Sequence, residues 1–302
     1  MRISSFLEKI SALDRILFDT LIVVFLTTTM DANAADYKAM SFNIRYGTAN
    51  DGDNHWDKRK HVVAKIIRMH QPDVVGMQEV LKFQEEYLAQ HCPGYAHVGV
   101  GRDDGKNKGE MTPVFYRTDR FTWVSSATLW LSDTPEVVGS KTWDNDLPRI
   151  VTYVVLKDNR TGQELVFAST HFSHMSENHR RKSADFLRKQ LPEITQNRPT
   201  ILVGDFNATV NSAAYKTLVD NPANTDGHTY IDTFIAATPA QQEQTGTFGG
   251  FTGTPSRASR IDWILCSDHF VPQTCQILKD NIAGRYPSDH YPILAELDLK
   301  QP

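Results

Sequence analysis

From Tyr37 onward the chain alternates two kinds of hydrophobic patterning without a linker-like gap. Short apolar runs bounded by turn residues predict strands over 40–44, 73–78, 114–116, 151–156, 165–170, 200–203, 260–266 and 291–299. Between them, 57–70 carries Val62, Val63, Ile66 and Ile67 on one stripe at i, i+4 spacing, which predicts a helix closed by Pro72; a second helix is predicted over 178–191. The order contains an echo. A strand ending at Asn43, a helix and a Pro-led strand lead to Glu79; a strand ending at His171, a helix and a Pro-led strand lead to Asp205. The intervals, 36 and 34 residues, nearly match. In both, polar residues sit at the C-terminal ends of buried strands, where α/β folds place ligand sites. The expectation is an α/β protein of two related β-α-β halves sharing one site.

The first 34 residues differ in character. Arg2, Lys9 and Arg15 lead into the apolar run 21–26, and Ala32-Asn33-Ala34 supplies a small-x-small cleavage pattern. This predicts a secretory signal peptide over 1–34, a single catalytic domain over 35–302, and a secreted or periplasmic location. The alternative is an N-terminal membrane anchor, since Glu8, Asp14 and Asp19 dilute the basic region. No run of eighteen apolar residues predicts a bilayer span, and a monomer is expected. The 302 residues are 40% hydrophobic and 23% charged with three Cys, which excludes a disordered chain and a disulfide scaffold. Cys266 and Cys275 could form a disulfide or remain two buried thiols; Cys92 is left over.

Candidate chemistry concentrates at the strand ends: Asn43, Glu79, Asp205, Asn207 and Asp289, with His171 and His290 beside them. An all-oxygen donor set without Cys suits a hard cation, Mg²⁺ with Mn²⁺ as the alternative, rather than Zn²⁺. Imidazoles beside such an ion can neutralise phosphoryl oxygens and orient an attacking water. His174 and His179 fall in a polar stretch opening a helix, which predicts surface or supporting roles. Asp51-Gly-Asp53-Asn-His55 resembles part of a calcium loop but lacks its Gly and terminal Glu positions.

The ordered set resembles the endonuclease/exonuclease/phosphatase superfamily, the DNase I-like fold. The matching segments are Ser41-Phe-Asn43-Ile-Arg45, Gly76-Met-Gln-Glu79-Val80, Ser169-Thr-His171-Phe172, Gly204-Asp205-Phe-Asn207, Arg260-Ile-Asp262-Trp-Ile264 and Ser288-Asp289-His290-Tyr-Pro292. The resemblance implies two packed mixed β-sheets flanked by helices, a four-layer α/β sandwich, and a metal-dependent hydrolase acting on phosphoric esters. It implies Glu79 as principal metal ligand with Asn43 beside it and Asp289 near the same ion. Asp205 would prepare the nucleophilic water, and Asn207 would hold phosphate and water. His171 and His290, the latter paired with Asp262, would contact the scissile phosphate. Glu110 would be the carboxylate partner of His171, fixing its tautomer and keeping it charged.

Substrate choice is less legible. Arg45, Trp56, Arg102, Arg149, Phe248, Phe251, Arg257 and Tyr286 lie near the motifs in sequence. Arg149 could fork onto a phosphate oxygen or be an ordinary surface residue. The aromatic side chains fit the core better than a base-stacking platform. Formal net charge is −4, or −3 once residues 1–34 are removed, and no basic run is present. A polyanion binder is disfavoured. A small or lipid-linked phosphoester is expected, with a nuclease and a catalytically inactive binding protein as alternatives.

Overall fold

The computed structural model describes residues 36–144, 146–219, 229–237, 246–255 and 260–300. The expected signal segment 1–34 and Arg257 lie outside the described residues. Among the described residues, twelve strands form two six-stranded sheets. The first has the order β11 (Phe270–Ile277), β12 (Ile293–Leu299), β1 (Tyr37–Asn43), β2 (Val74–Gln78), β4 (Val114–Arg117), β3 (Tyr95–Val98). The second has the order β5 (Phe121–Trp130), β6 (Ile150–Asp158), β7 (Glu164–His171), β8 (Thr200–Asp205), β10 (Asp262–Cys266), β9 (Ile231–Asp232). Helices α1 (Trp56–His70) and α2 (Lys82–His91) belong to the first half. Helices α3 (Glu177–Ile194), α4 (Ala213–Leu218) and α5 (Thr233–Ala237) belong to the second.

The echo in the sequence is a structural repeat. In each sheet one parallel pair, β1-β2 or β7-β8, is joined by a long helix, and antiparallel strands flank it on both sides. The central registers end alike: Asn43 opposite Gln78, and His171 opposite Asp205.

Three apolar clusters give the layers. Tyr37, Ala39 and Val74 of the first sheet meet Phe167, Ile201, Val203 and Ile264 of the second in the central core. Met40, Phe42, Val75 and Met77 pack on the α1 stripe. Ala168, Leu202 and Leu265 pack with Ala184, Leu187 and Leu191 of α3. Successive strand residues face opposite sides, so residues two apart share a side. The parity that sends Tyr37 and Ala39, Leu165 and Phe167, and Ile201 and Val203 into the central core also sends Asn43, His171 and Asp205 to that side. The catalytic candidates therefore sit where the central core meets solvent.

The ten segments predicted from periodicity all carry strand or helix, with ends displaced by a few residues. Helix α2 escaped notice because its buried face is Gln84, Glu85 and Leu88, which presents no apolar stripe. Strand β5 escaped because its middle is exposed at a sheet edge. The disulfide alternative is set aside: Cys266 and Cys275 stand on strands of different sheets, and both are buried free thiols, as is Cys92. Of the surface and supporting roles expected of His179, the surface one is excluded. His179 lies fully buried on α3, its ring 5.5 Å from that of Trp143 and its Nδ1 3.1 Å from Ser183 Oγ. Of the carboxylates in the calcium-like loop, Asp51 pairs with Arg45 and Asp53 with Lys58.

The sheets approach closely at Gly76, where a Cβ would lie 2.3 Å from Val203 Cγ2 and 2.9 Å from Ser169 Cβ. Gly76→Val should cost about 1–3 kcal/mol by overpacking and reduce activity together with the melting temperature, since β2 and β8 carry Glu79 and Asp205. A variant as stable and active as wild type would contradict this packing. Burial, reinforced by Arg149, pushes the His179 imidazole down to about 4. A histidine depressed in the fold stabilises it fully above its ordinary value of about 6.5 and loses that contribution as pH falls toward 4. Denaturant unfolding of wild type should therefore lose up to ~1.4 kcal/mol per pH unit more than His179→Gln between pH 6.5 and 4.

Candidate active site

Glu79 follows β2 with φ 59°, a left-handed conformation that turns its carboxylate back over the end of the first sheet. Asn43, at the end of β1, bridges the two sheets: its Nδ2 donates to Glu79 Oε1 at 3.0 Å and to Asp205 Oδ2 at 2.9 Å. Its Oδ1 accepts from the Arg45 backbone N–H at 2.9 Å. In this arrangement Asn43 orients both carboxylates, and its Oδ1 keeps a lone pair beyond the Arg45 bond. The second carboxylate oxygen of Glu79 accepts from Tyr46 N–H at 3.0 Å.

From the second sheet, Asp205 Oδ1 accepts from the backbone N–H of Asn207, itself left-handed at φ 48°. Asn207 Nδ2 donates to Phe172 O and reaches His171 Nε2 at 3.0 Å. An amide donor on Nε2 leaves the proton of a neutral ring on Nδ1. His171 Nε2 and His290 Nε2 lie 3.5 and 3.7 Å from Asp205 Oδ2. His290 Nδ1 is bonded to Asp262 at 2.9 Å. Asp289, beside it, accepts from Ser288 Oγ and lies 3.7 Å from Arg45 Nε. All seven motif residues, Asn43, Glu79, His171, Asp205, Asn207, Asp262 and His290, thus converge with Asp289 on one site.

The electrostatics separate the two imidazoles. Burial alone would depress His290, but the carboxylates of Asp262, Asp205 and Asp289 hold it well above the ordinary range, as a cation at neutral pH. His171 goes the other way: burial, with the guanidinium groups of Arg149 and Arg102, lowers it well below. Glu110, the carboxylate expected beside His171, is found there but is shared with an arginine. Glu110 stands 3.7 Å from His171 Nδ1 and is forked by Arg102 at 2.9 and 3.0 Å, so its charge is spent on the arginine. Burial and the Asp262 carboxylate push Asp205 up to about 7. Burial, with Glu79 adding to it, also raises Asp289.

These residues surround a cavity of about 520 Å³, lined also by Arg45, Tyr46, Leu147, Arg149, His174 and Phe248. Arg149 is not a surface residue: it is 3% exposed, with Nη2 3.0 Å from His174 Nδ1. Its Nε and Nη1 have no hydrogen-bond partner among the described residues. Trp56 belongs to the core, as expected of the aromatics, whereas Phe248 packs edge-on against the His290 ring at 5.0 Å. Tyr46, Leu147 and His174 went unrecognised as lining residues, because loops carry no periodic signal.

The donor set fits a divalent cation. Ligand-capable atoms of Glu79, His171 and Asp205 lie within 4.8 Å of one another, as do those of Asp205, Asp262 and His290. Buried carboxylates brought together raise each other's affinity for positive charge. Oxygen donors predominate and no thiolate takes part, which is hard-cation chemistry.

Comparison with known proteins agrees with this geometry. The sequence profile of the Endonuclease/Exonuclease/phosphatase family matches residues 40–290. An endonuclease/exonuclease/phosphatase from Bacteroides vulgatus is 36% identical, with TM-score 0.80 over 87% of this chain and 99% of that one. A mannosyl-6-phosphatase from Bacteroides thetaiotaomicron is 33% identical, with TM-score 0.78 over 86% and 99%. Nocturnin of Xenopus laevis is 24% identical over 301 residues, 88% of this chain and 73% of its own length. The chain belongs to the endonuclease/exonuclease/phosphatase family, divalent-metal-dependent hydrolases that act on phosphoester bonds.

Proposed function

We propose that this protein is an exported, Mg²⁺-dependent phosphomonoesterase acting on a small hydroxylated phosphate ester, a sugar phosphate above all. The observation that carries the reading is Arg149. Its buried guanidinium borders the cavity with two donor nitrogens unpaired, beside His171 and His174. An unpaired buried donor is costly. A monoester dianion, with three unesterified oxygens, can meet Arg149 in addition to the histidines and the metal side of the site. The resemblance to a mannosyl-6-phosphatase and the net charge of −4 support a small substrate over a polyanion. Export rests on the character of residues 1–34.

The residues divide the work as follows. Glu79 and Asp289 would hold the ion, with Asn43 positioning Glu79. A bound divalent cation supplies Lewis-acid neutralisation of charge on the phosphoryl and leaving oxygens. Asp205, raised toward neutrality, is matched to accept a proton from water, and Asn207 holds its carboxylate and orients the water. His290, kept cationic by Asp262, donates from Nε2 to a phosphoryl oxygen as charge builds there.

Asp205→Asn and His290→Ala should each lower kcat by about 10²–10⁴-fold with unchanged circular dichroism; undiminished turnover in either would mean the site is misassigned. A panel of p-nitrophenyl phosphate, bis(p-nitrophenyl) phosphate, hexose 6-phosphates, RNA and plasmid DNA with Mg²⁺ or EDTA tests the substrate class. Monoesters should be turned over fastest, and only without EDTA. Arg149→Met should reduce kcat/KM on monoesters about 10–100-fold, the size of a charge-assisted hydrogen bond, and affect the diester less. Preferential cleavage of the diester or of nucleic acid would overturn the monoester assignment; no turnover of any substrate would favour a binding protein.

A further inference from the structure

Two buried polar side chains outside the motifs knit together the three loops that carry the metal-side residues. Arg59, on α1, is fully buried. Its Nη1 donates to Ile44 O at 2.6 Å and to Pro287 O at 2.8 Å, its Nη2 to Arg45 O at 3.1 Å, and its Nε to Asn54 O at 2.8 Å. Ile44 and Arg45 directly follow Asn43, and Pro287 precedes Asp289 by two residues. Gln84, on α2, is also fully buried. Its Nε2 donates to the same Arg45 carbonyl at 3.0 Å, while its Oε1 accepts from Gly47 N–H at 2.8 Å and Leu81 N–H at 3.1 Å. Leu81 follows Glu79 by two residues.

We infer that Arg59 and Gln84 are positioning residues that set the spacing of Glu79, Asn43 and Asp289, and thereby the affinity of the site for its divalent cation. This rests on the metal-side assignment above. The physical case begins with strain. Arg45 and Glu79 are both left-handed, at φ 60° and 59°, a conformation that non-glycine residues adopt only where the surroundings enforce it. Arg45 O, the acceptor shared by Arg59 and Gln84, belongs to one of these residues. Glu79 is held between Asn43 Nδ2 and Tyr46 N–H, both on the loop those two side chains tie down. Gly47 allows the approach, since a Cβ there would lie 2.9 Å from the Gln84 side chain and 2.6 Å from Phe83.

A role confined to folding would also require Arg59 and Gln84. It would not require every bond but the one to Asn54 to end on the loops that carry Asn43, Glu79 and Asp289. The hydrogen bonds of Arg59 among the described residues all end on carbonyl oxygens, which fix backbone position, while its charge stands near the Asp289 and Glu79 carboxylates. Partners of this kind typically alter metal affinity about 10–100-fold when removed.

The test is Mn²⁺ binding to the full-length protein without substrate, by calorimetry, well below the melting temperature. Gln84→Leu should weaken binding about 10-fold or more and raise the Mn²⁺ concentration needed for half-maximal p-nitrophenyl phosphate turnover in proportion, with KM for substrate at saturating metal unchanged. Arg59→Met should weaken it further, and Arg59→Lys should recover part of the loss. If Arg59→Met does not fold, Gln84→Leu and Arg59→Lys carry the test. Folded variants that bind Mn²⁺ as tightly as wild type would overturn the positioning role alone. Wild type that binds no divalent cation would overturn both this role and the metal site beneath it.

Discussion

The structure depends on two β-sheets being pressed together at their parallel strand pairs. Where β2 meets β7 and β8, a glycine leaves room for Val203 and Ser169, and Ser169 Oγ donates to Met77 O across the gap. A few residues further along, the same contact becomes polar, and Asn43 reaches from one sheet to Asp205 on the other. The site is the solvent end of the central core. The alternation that buries Ala39, Phe167 and Val203 extends by one or two steps into Asn43, His171 and Asp205. Fold and chemistry share one geometric cause.

Burying so many charges in one place has consequences for each. The carboxylates of Asp262, Asp205 and Asp289 gather around His290 and raise it, while burial, with the guanidinium groups of Arg149 and Arg102 beside it, lowers His171. Two histidines from related halves are thus shifted in opposite directions by their neighbours. The repeat supplies the backbone frame, and the difference between the halves sets apart the surroundings of the two imidazoles.

How much of this was legible follows from the range of the signals. The strands bearing the motifs are largely apolar and buried, and α1 carries Val62, Val63, Ile66 and Ile67 on one stripe, so both were evident from spacing. Helix α2 hid because Gln84 and Glu85 occupy its buried face. Arg59 left a faint trace: a charged residue three and four positions before Val62 and Val63, on the stripe itself. That mismatch of residue type and position was the one local hint of a buried guanidinium. The state of Glu110 left no trace, because it is decided by Arg102, eight residues away along an irregular loop.

Beyond Asp262 and Glu110, which enter through the family resemblance, residue order along the chain carries the α/β class, the two related halves and the polar strand ends Asn43, Glu79, His171, Asp205, Asn207, Asp289 and His290. These follow from short-range periodicity and from side-chain chemistry, which each residue carries wherever it is placed. The fold in three dimensions adds the opposite shifts of His290 and His171, the burial of Arg149 at the cavity's edge, Cys266 and Cys275 as thiols on separate sheets, and the ties from Arg59 and Gln84 to three distant loops. Those outcomes depend on burial and on distances between residues up to 228 positions apart, as for Arg59 and Pro287. Protonation and hydrogen-bond pairing are set by what surrounds a group in space, and the chain order does not contain it.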